Sequence, residues 1–126
     1  MMYVRGVRGA ITVTADEEHI ILEATQALLQ AMINANDINE DEVASVFFTA
    51  TPDLTAVYPA RAARILGWTQ TALMGMQEMA VRGGLPHCIR ILIHWNTAKA
   101  PQEIEHIYLN DAVSLRPDRQ NGVIRE

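Results

Sequence analysis

The chain has 126 residues, 49% apolar and 20% charged, with a net charge of −5. That is ordinary globular composition for a single domain able to bury a core. The acidic balance argues against general nucleic-acid binding, and no run approaches the about 18 apolar residues of a membrane span. One cysteine, Cys88, allows no internal disulfide and suits a reducing compartment. No signal peptide is read at the N-terminus, so the cytoplasm is the expected location.

Tyr3 to Thr14 reads as a strand rich in β-branched residues. Alternation puts Val4, Gly6, Arg8, Ala10 and Thr12 on one face, leaving Arg8 among small neighbours. Asp16 is expected to cap the helix that follows. Glu17 and Glu18 fall in its first turn, and Ile21, Ala24, Leu28, Ala31 and Met32 form its apolar stripe. The helix should end near residues 34–37. The acidic turn Asn39 to Glu42 reads as solvated surface. Val43 to Ala50 is apolar enough for a central strand, ended by Pro52. Pro59 opens a short helix to about Leu66, with Arg61 and Arg64 on one face at i, i+3 spacing.

Thr71 to Gln77 reads as a short strand leading into Glu78, a lone carboxylate flanked by Met76 and Met79. A carboxylate in an apolar setting needs a partner, and arginine is the natural one. Gly83-Gly84 breaks the chain before Cys88 to Thr97, the clearest strand. Ile89, Ile91, Ile93 and Trp95 face one way, and Cys88, Arg90, Leu92, His94 and Asn96 the other. Arg90 therefore needs an anion or a polar cavity. A helical turn at Pro101, a strand at residues 107–109 carrying Tyr108 and a last turn to Leu115 follow. Residues 1–117 are expected to form the domain and residues 118–126 a mobile tail.

The order β-α-β-α-β-β-β predicts an α+β fold of α/β-like character, a mixed sheet with two main helices. One sheet face is left bare, which implies an oligomer. The chemistry is defined partly by what is missing. There is no GxSxG, phosphate-binding glycine loop, HExxH or CxxC, and the four histidines lack metal-ligand spacing, so neither a nucleophile nor a metal site is expected. Cys88 reads as a small core residue. Nine of the ten basic residues are arginine. Arginines, one glutamate and a tyrosine hydroxyl suit a small polyanion bearing a hydroxyl, and chemistry done by positioning and electrostatics.

Six segments together bear a family likeness: RGxRGAxTV at Arg5 to Val13, ATPDLxAVxPAxAxR at Ala50 to Arg64, MQEM at Met76 to Met79, GGLxxCIR at Gly83 to Arg90, HxYL at His106 to Leu109 and LRPD at Leu115 to Asp118. In these the chain resembles the AroH-class chorismate mutases, over its whole length and in order. The resemblance implies a homotrimer with a pseudo-α/β-barrel core, active sites between subunits, and the Claisen rearrangement of chorismate to prephenate without cofactor or metal. By the same resemblance, Arg90 contacts the enolpyruvyl carboxylate and ether oxygen, and Glu78 binds the substrate hydroxyl. Arg8 and Tyr108 grip a carboxylate, with Arg64 and Arg116 as further carboxylate partners at the cleft mouth. Tyr58, Ala60, Arg61, Leu73, Met74 and Leu115 match pocket-lining positions. Gly75 stands where a relative has cysteine, beside the hydroxyl-binding site. Tyr58 replaces a phenylalanine and Arg61 a lysine, keeping shape or charge. The rival reading is a trimeric YjgF-like ligand-binding or imine-hydrolysing protein, which would also hold a carboxylate with arginine but has no evident need for Glu78, Arg8 and Tyr108 together.

Overall fold

The structure is a computed structural model and describes residues 1–115. Five strands, β1 (Tyr3–Thr12), β2 (Val43–Ala50), β3 (Ala72–Gln77), β4 (Cys88–Thr97) and β5 (Ile107–Leu109), form one mixed sheet in the order β3-β2-β4-β1-β5. β4 runs antiparallel to both β1 and β2, while β3 and β5 join parallel at the two edges. The long helix α1 (Glu18–Asn36) covers one face; α2 (Arg61–Ile65) is little more than a turn. The second of the two expected helices is thus much the smaller. No helix among the described residues is long and apolar enough to cross a membrane.

Sheet and helix meet through the alternation of β4. Ile89, Ile91, Ile93 and Trp95 are buried, and with Val7, Ile11, Val46 and Phe48 they join Ile21, Leu28, Leu29 and Met32 of α1 in the core. The intervening Arg90, Leu92, His94 and Asn96 are only half-buried. Helix and sheet approach closely at Gly9, where a Cβ would lie 2.4 Å from Met32 Sδ. Among the described residues the sheet's other face carries no α-helix; only the 3-10 segment Asn110–Leu115 packs there, against Ala10, Cys88 and Tyr108.

Two expectations need correction. Asp16 does not cap α1: the cap position is Glu17, which makes no side-chain cap bond. The Asp16 carboxylate instead accepts the backbone N–H groups of Thr55 and Ala56 at 2.9 and 3.0 Å and the Thr55 hydroxyl at 2.8 Å. Three donors on a loop outcompete the single bond a cap offers. Nor is the acidic turn merely solvated. Its 3-10 segment (Glu40–Glu42) ties β2's entry to its surroundings, since Glu40 accepts from Gln70 N and the Thr71 hydroxyl and Glu42 from Trp95 Nε1.

The far end of α1 sets β5. Asp37 takes the left-handed conformation (φ 59) that ends the helix. The buried Asn36 amide donates to Met32 O and Glu105 O and accepts Glu105 N at 2.8 Å. His106 Nδ1 accepts the Arg8 N–H at 3.0 Å, which fixes β5 beside β1.

Candidate active site

The open face of the sheet has a readable register. Tyr108, Ala10, Arg90, Thr49 and Met76 are successive cross-strand partners, one from each strand. Beside them runs a second row, Arg8, Leu92, Phe47 and Met74. Register pairs share a face, so the sheet brings Arg8, Arg90 and Tyr108 to one side although about a hundred residues separate the first from the last. A bulge in β2 sets the phase: Val43 pairs with Trp95 on the helix side, whereas Ser45 pairs with His94 on the open side. That extra residue puts Thr49 opposite Arg90.

Glu78 lies one residue beyond β3, its N–H held by Ala50 O at 2.9 Å. Its Oε2 accepts the Thr49 hydroxyl at 3.0 Å and Arg90 Nη1 at 3.3 Å, and its Oε1 accepts Met79 N at 3.1 Å. The side chains of Glu78 and Arg90 keep 25% and 30% of their surface, so the pair is neither sealed off nor fully wet. A cavity of about 460 Å³ opens onto it, lined by Arg8, Phe47, Thr49, Met76, Glu78, Arg90 and Leu92 among others. Two arginines and one acid leave it net positive, with an acceptor placed among the donors.

Tyr108 is buried beside this cavity with Ala10, Cys88 and Ala112; Leu115 packs against the same group. Cys88 is 3% exposed, as a core residue should be. Tyr58, Arg61 and Gly75 line a different cavity of about 640 Å³, between the 51–59 loop and the β2–β3 edge, with Met76 shared by both. There Arg61 meets Glu18 at 3.2 Å in an exposed pair, an interaction of little energetic weight. Ala60 is buried in the core, Arg64 and Met74 are exposed and Leu73 is half-buried. Arg116 lies outside the described residues, as does the expected tail at 118–126. One chain therefore divides the expected residues into two sets. The sequence reading did not name Thr49, Phe47 or Leu92 as cavity residues; only Leu92 carried a signal, its place on the Arg90 face of β4.

The loop at 51–59 is held firmly. Thr51 donates its hydroxyl to Asp53 and accepts Cys88 N, and Asp53 accepts His87 N at 3.0 Å. Burial pushes the Asp53 carboxyl up, but the bonds from Thr51 and His87 outweigh it and hold it below its ordinary value. The entry to Arg90's strand and the loop bearing Tyr58 are thus tied to one another. Among the described residues no three His, Cys, Asp or Glu side chains gather to hold a metal ion.

Residues 4–119 match the family described as chorismate mutase type I. The chain belongs to that family. It is 46% identical over 120 residues to "Chorismate mutase AroH" of Thermus thermophilus, covering 94% of this chain and 98% of the relative. To the Bacillus subtilis (strain 168) protein of the same name it is 45% identical over 118 residues, 93% of each. Among solved structures, the chorismate mutase from Clostridium thermocellum superposes with a TM-score of 0.86 at 47% identity, covering 87% of this chain and 98% of that one. Such identity over nearly full lengths carries the mixed five-stranded sheet as well as the family. Within the chorismate mutase frame, the Arg8–Glu78–Arg90 cavity is the candidate active site.

Proposed function

We propose that the protein catalyses the Claisen rearrangement of chorismate to prephenate, the step toward phenylalanine and tyrosine, in the cytoplasm. The observation that carries this reading is the cavity itself: Glu78 hydrogen-bonded to Thr49 and Arg90 on its floor, with Arg8 alongside. Chorismate has two carboxylates, a ring hydroxyl and an ether oxygen that gains negative charge as its C–O bond breaks. The reaction is unimolecular and transfers no group to the enzyme, so the protein's work is conformer selection and charge stabilisation.

In this reading Glu78 receives the ring hydroxyl. Arg90 faces the ether oxygen and the enolpyruvyl carboxylate. Arg8 and the Tyr108 hydroxyl hold a carboxylate, with Arg116 as a further carboxylate partner and Leu115 lining the pocket. The carboxylate contacts select the compact diaxial conformer, and Arg90 supplies a donor where charge develops. A roughly 10⁶-fold acceleration needs about 8 kcal/mol, and one preorganised donor contributes about 3–4 kcal/mol in comparable sites. Conformer selection covers the remainder.

The second set, Tyr58, Ala60, Arg61, Arg64, Leu73 and Gly75, belongs in this reading to the neighbouring copy in a homotrimer; Met74 stands on the open face, in the Arg8 row. Two observations support the trimer. The sheet face opposite α1 carries exposed Met74 and Met76 beside half-buried Phe47 and Leu92, an apolar face of the kind that marks an interface. And the cavity's two arginines are partly offset by Glu78, leaving a single net positive charge for a substrate with two carboxylates. Three pseudo-barrel-forming sheets would then close each cleft with the next copy's loop.

The test is direct. Purified protein mixed with chorismate should consume its ultraviolet absorbance and yield prephenate without added metal or cofactor. Sedimentation at micromolar concentration should give the trimer mass. An inert protein under these conditions refutes the activity, and a stable monomer refutes the assembly.

A further inference from the structure

Thr49 touches the Glu78 carboxylate with its side chain, from the strand between Glu78 and Arg90. β2 lies between β3, which delivers Glu78, and β4, which carries Arg90. Thr49 pairs in register with Arg90 and donates its hydroxyl to Glu78 Oε2 at 3.0 Å. The same oxygen accepts Arg90 Nη1 at a longer 3.3 Å. The other oxygen is held by the Met79 N–H, so both carboxylate oxygens have fixed donors. Thr49 itself is half-buried and lines the cavity.

We infer that Thr49 is a positioning residue: its hydroxyl holds the Glu78 carboxylate off a tighter pairing with Arg90, so that both side chains remain aimed at the substrate. The physical reason is competition for one oxygen. A carboxylate between a neutral hydroxyl and a guanidinium shares its acceptor capacity between them. Remove the hydroxyl and Glu78 Oε2 turns wholly to Arg90. Arg90 then brings to the reacting ether oxygen a charge already neutralised by its neighbour, and Glu78 offers the ring hydroxyl a misplaced acceptor. The loss falls on the transition state, where charge develops, more than on the ground state. A hydroxyl on a β-branched frame suits the task. The second branch keeps χ1 stiff in a strand and so fixes the donor's direction. This inference rests on the proposed reaction.

The experiment is a double-mutant cycle read by chorismate consumption, with melting temperature measured for every variant. Turnover by the wild-type chain tests the reaction; the pattern among variants tests Thr49. Thr49→Val keeps shape and strand preference and deletes only the donor. It should lower kcat about tenfold with KM within about threefold. Thr49→Ser, which restores a hydroxyl, should return to within about threefold of wild-type kcat. In a Glu78→Ala background, Thr49→Val should change kcat by less than about twofold, since its effect passes through Glu78. If Thr49→Val lowers the melting temperature, Thr49→Ala taken through the same cycle decides, because it deletes the hydroxyl without new bulk. Equal losses with and without Glu78, a serine variant as slow as valine, or an effect on KM alone would each overturn the role.

Discussion

Replacing the Arg90 guanidinium by the ureido group of citrulline separates charge from shape, because the two groups share length and planarity. The magnitude can be set from the site. Arg90 keeps 30% of its side-chain surface, so the effective dielectric is nearer 20 than 4. With about half a unit charge developing roughly 3 Å from the guanidinium, Coulomb's law gives about 3 kcal/mol. That is about a hundredfold in rate, the scale found for single preorganised donors elsewhere. Citrulline at position 90 should therefore bind chorismate tolerably and lose at least about 10² in kcat. Arg90→Lys keeps the charge but loses the planar fork, and should suffer in both KM and kcat. Glu78 supplies the control: Glu78→Gln retains an acceptor for the ring hydroxyl and should cost less than Glu78→Ala. Stopped-flow or steady-state loss of chorismate absorbance reads all four variants. Near-normal kcat with citrulline would refute the electrostatic mechanism and leave conformer selection alone.

Gly9→Ala places a Cβ 2.4 Å from Met32 Sδ and 3.1 Å from Leu28 Cδ1; overpacking of this kind should cost about 1–3 kcal/mol, read by denaturant unfolding at fixed protein concentration, and an unchanged midpoint would show that α1 can yield. Hydrogen bonds from Thr55 N, the Thr55 hydroxyl and Ala56 N hold the Asp16 carboxyl below its ordinary value of 3.8. Its stabilising effect is therefore fully present above that value and lost as pH falls through the lower folded one. Asp16→Asn should flatten the acid limb of melting temperature against pH while leaving that limb's upper end little changed in shape. Cys88→Ser should keep kcat within about tenfold, allowing about 1.4 kcal/mol for a polar atom in a buried position, because the rearrangement has no nucleophilic step; complete loss of turnover in a folded variant would contradict that.

The strands were legible where sequence alternation and burial coincide. Val43 to Ala50 and Cys88 to Thr97 show the expected bounds because β-branched and apolar residues there are flanked by breaking residues at Pro52 and Gly83-Gly84. The opposed faces of β4 were likewise readable, since its alternation runs unbroken from Ile89 to Thr97. Asp16 was misread because cap preference is local, whereas its actual donors lie about forty residues away on a loop. Thr49 stayed hidden for a different reason. Strict alternation from Val43 would put residues 43, 45, 47 and 49 on one face, and only the bulge sends Val43 to the helix side and the other three to the open side. A bulge leaves little trace in one sequence.

The division of the expected site into two cavities follows from β3 being an edge strand. Met74, Met76 and the following Glu78 belong to the open face, in register with Phe47 and Thr49, while Gly75 and Gln77 turn to the 51–59 loop with Phe48 and Ala50. β3 thus separates the two cavities, with Gly75 and Gln77 lining one, Glu78 just beyond the strand lining the other and Met76 lining both, and Tyr58 and Arg61 line the cavity away from Arg90. If all the arginines act on one substrate, the strand must be shared between copies, each lending one face of β3 to a different cleft. Gly75 makes the argument sharper. A Cβ there would meet nothing within 4 Å, so in the isolated chain the position is unconstrained and Gly75→Ala should leave the melting of any monomer unchanged. In the proposed trimer the same methyl group would enter the cleft of the neighbouring copy. Gly75→Ala should then alter KM for chorismate while leaving the sedimentation behaviour intact, whereas an unchanged KM would place Gly75 outside the cleft and break the link between β3's two faces.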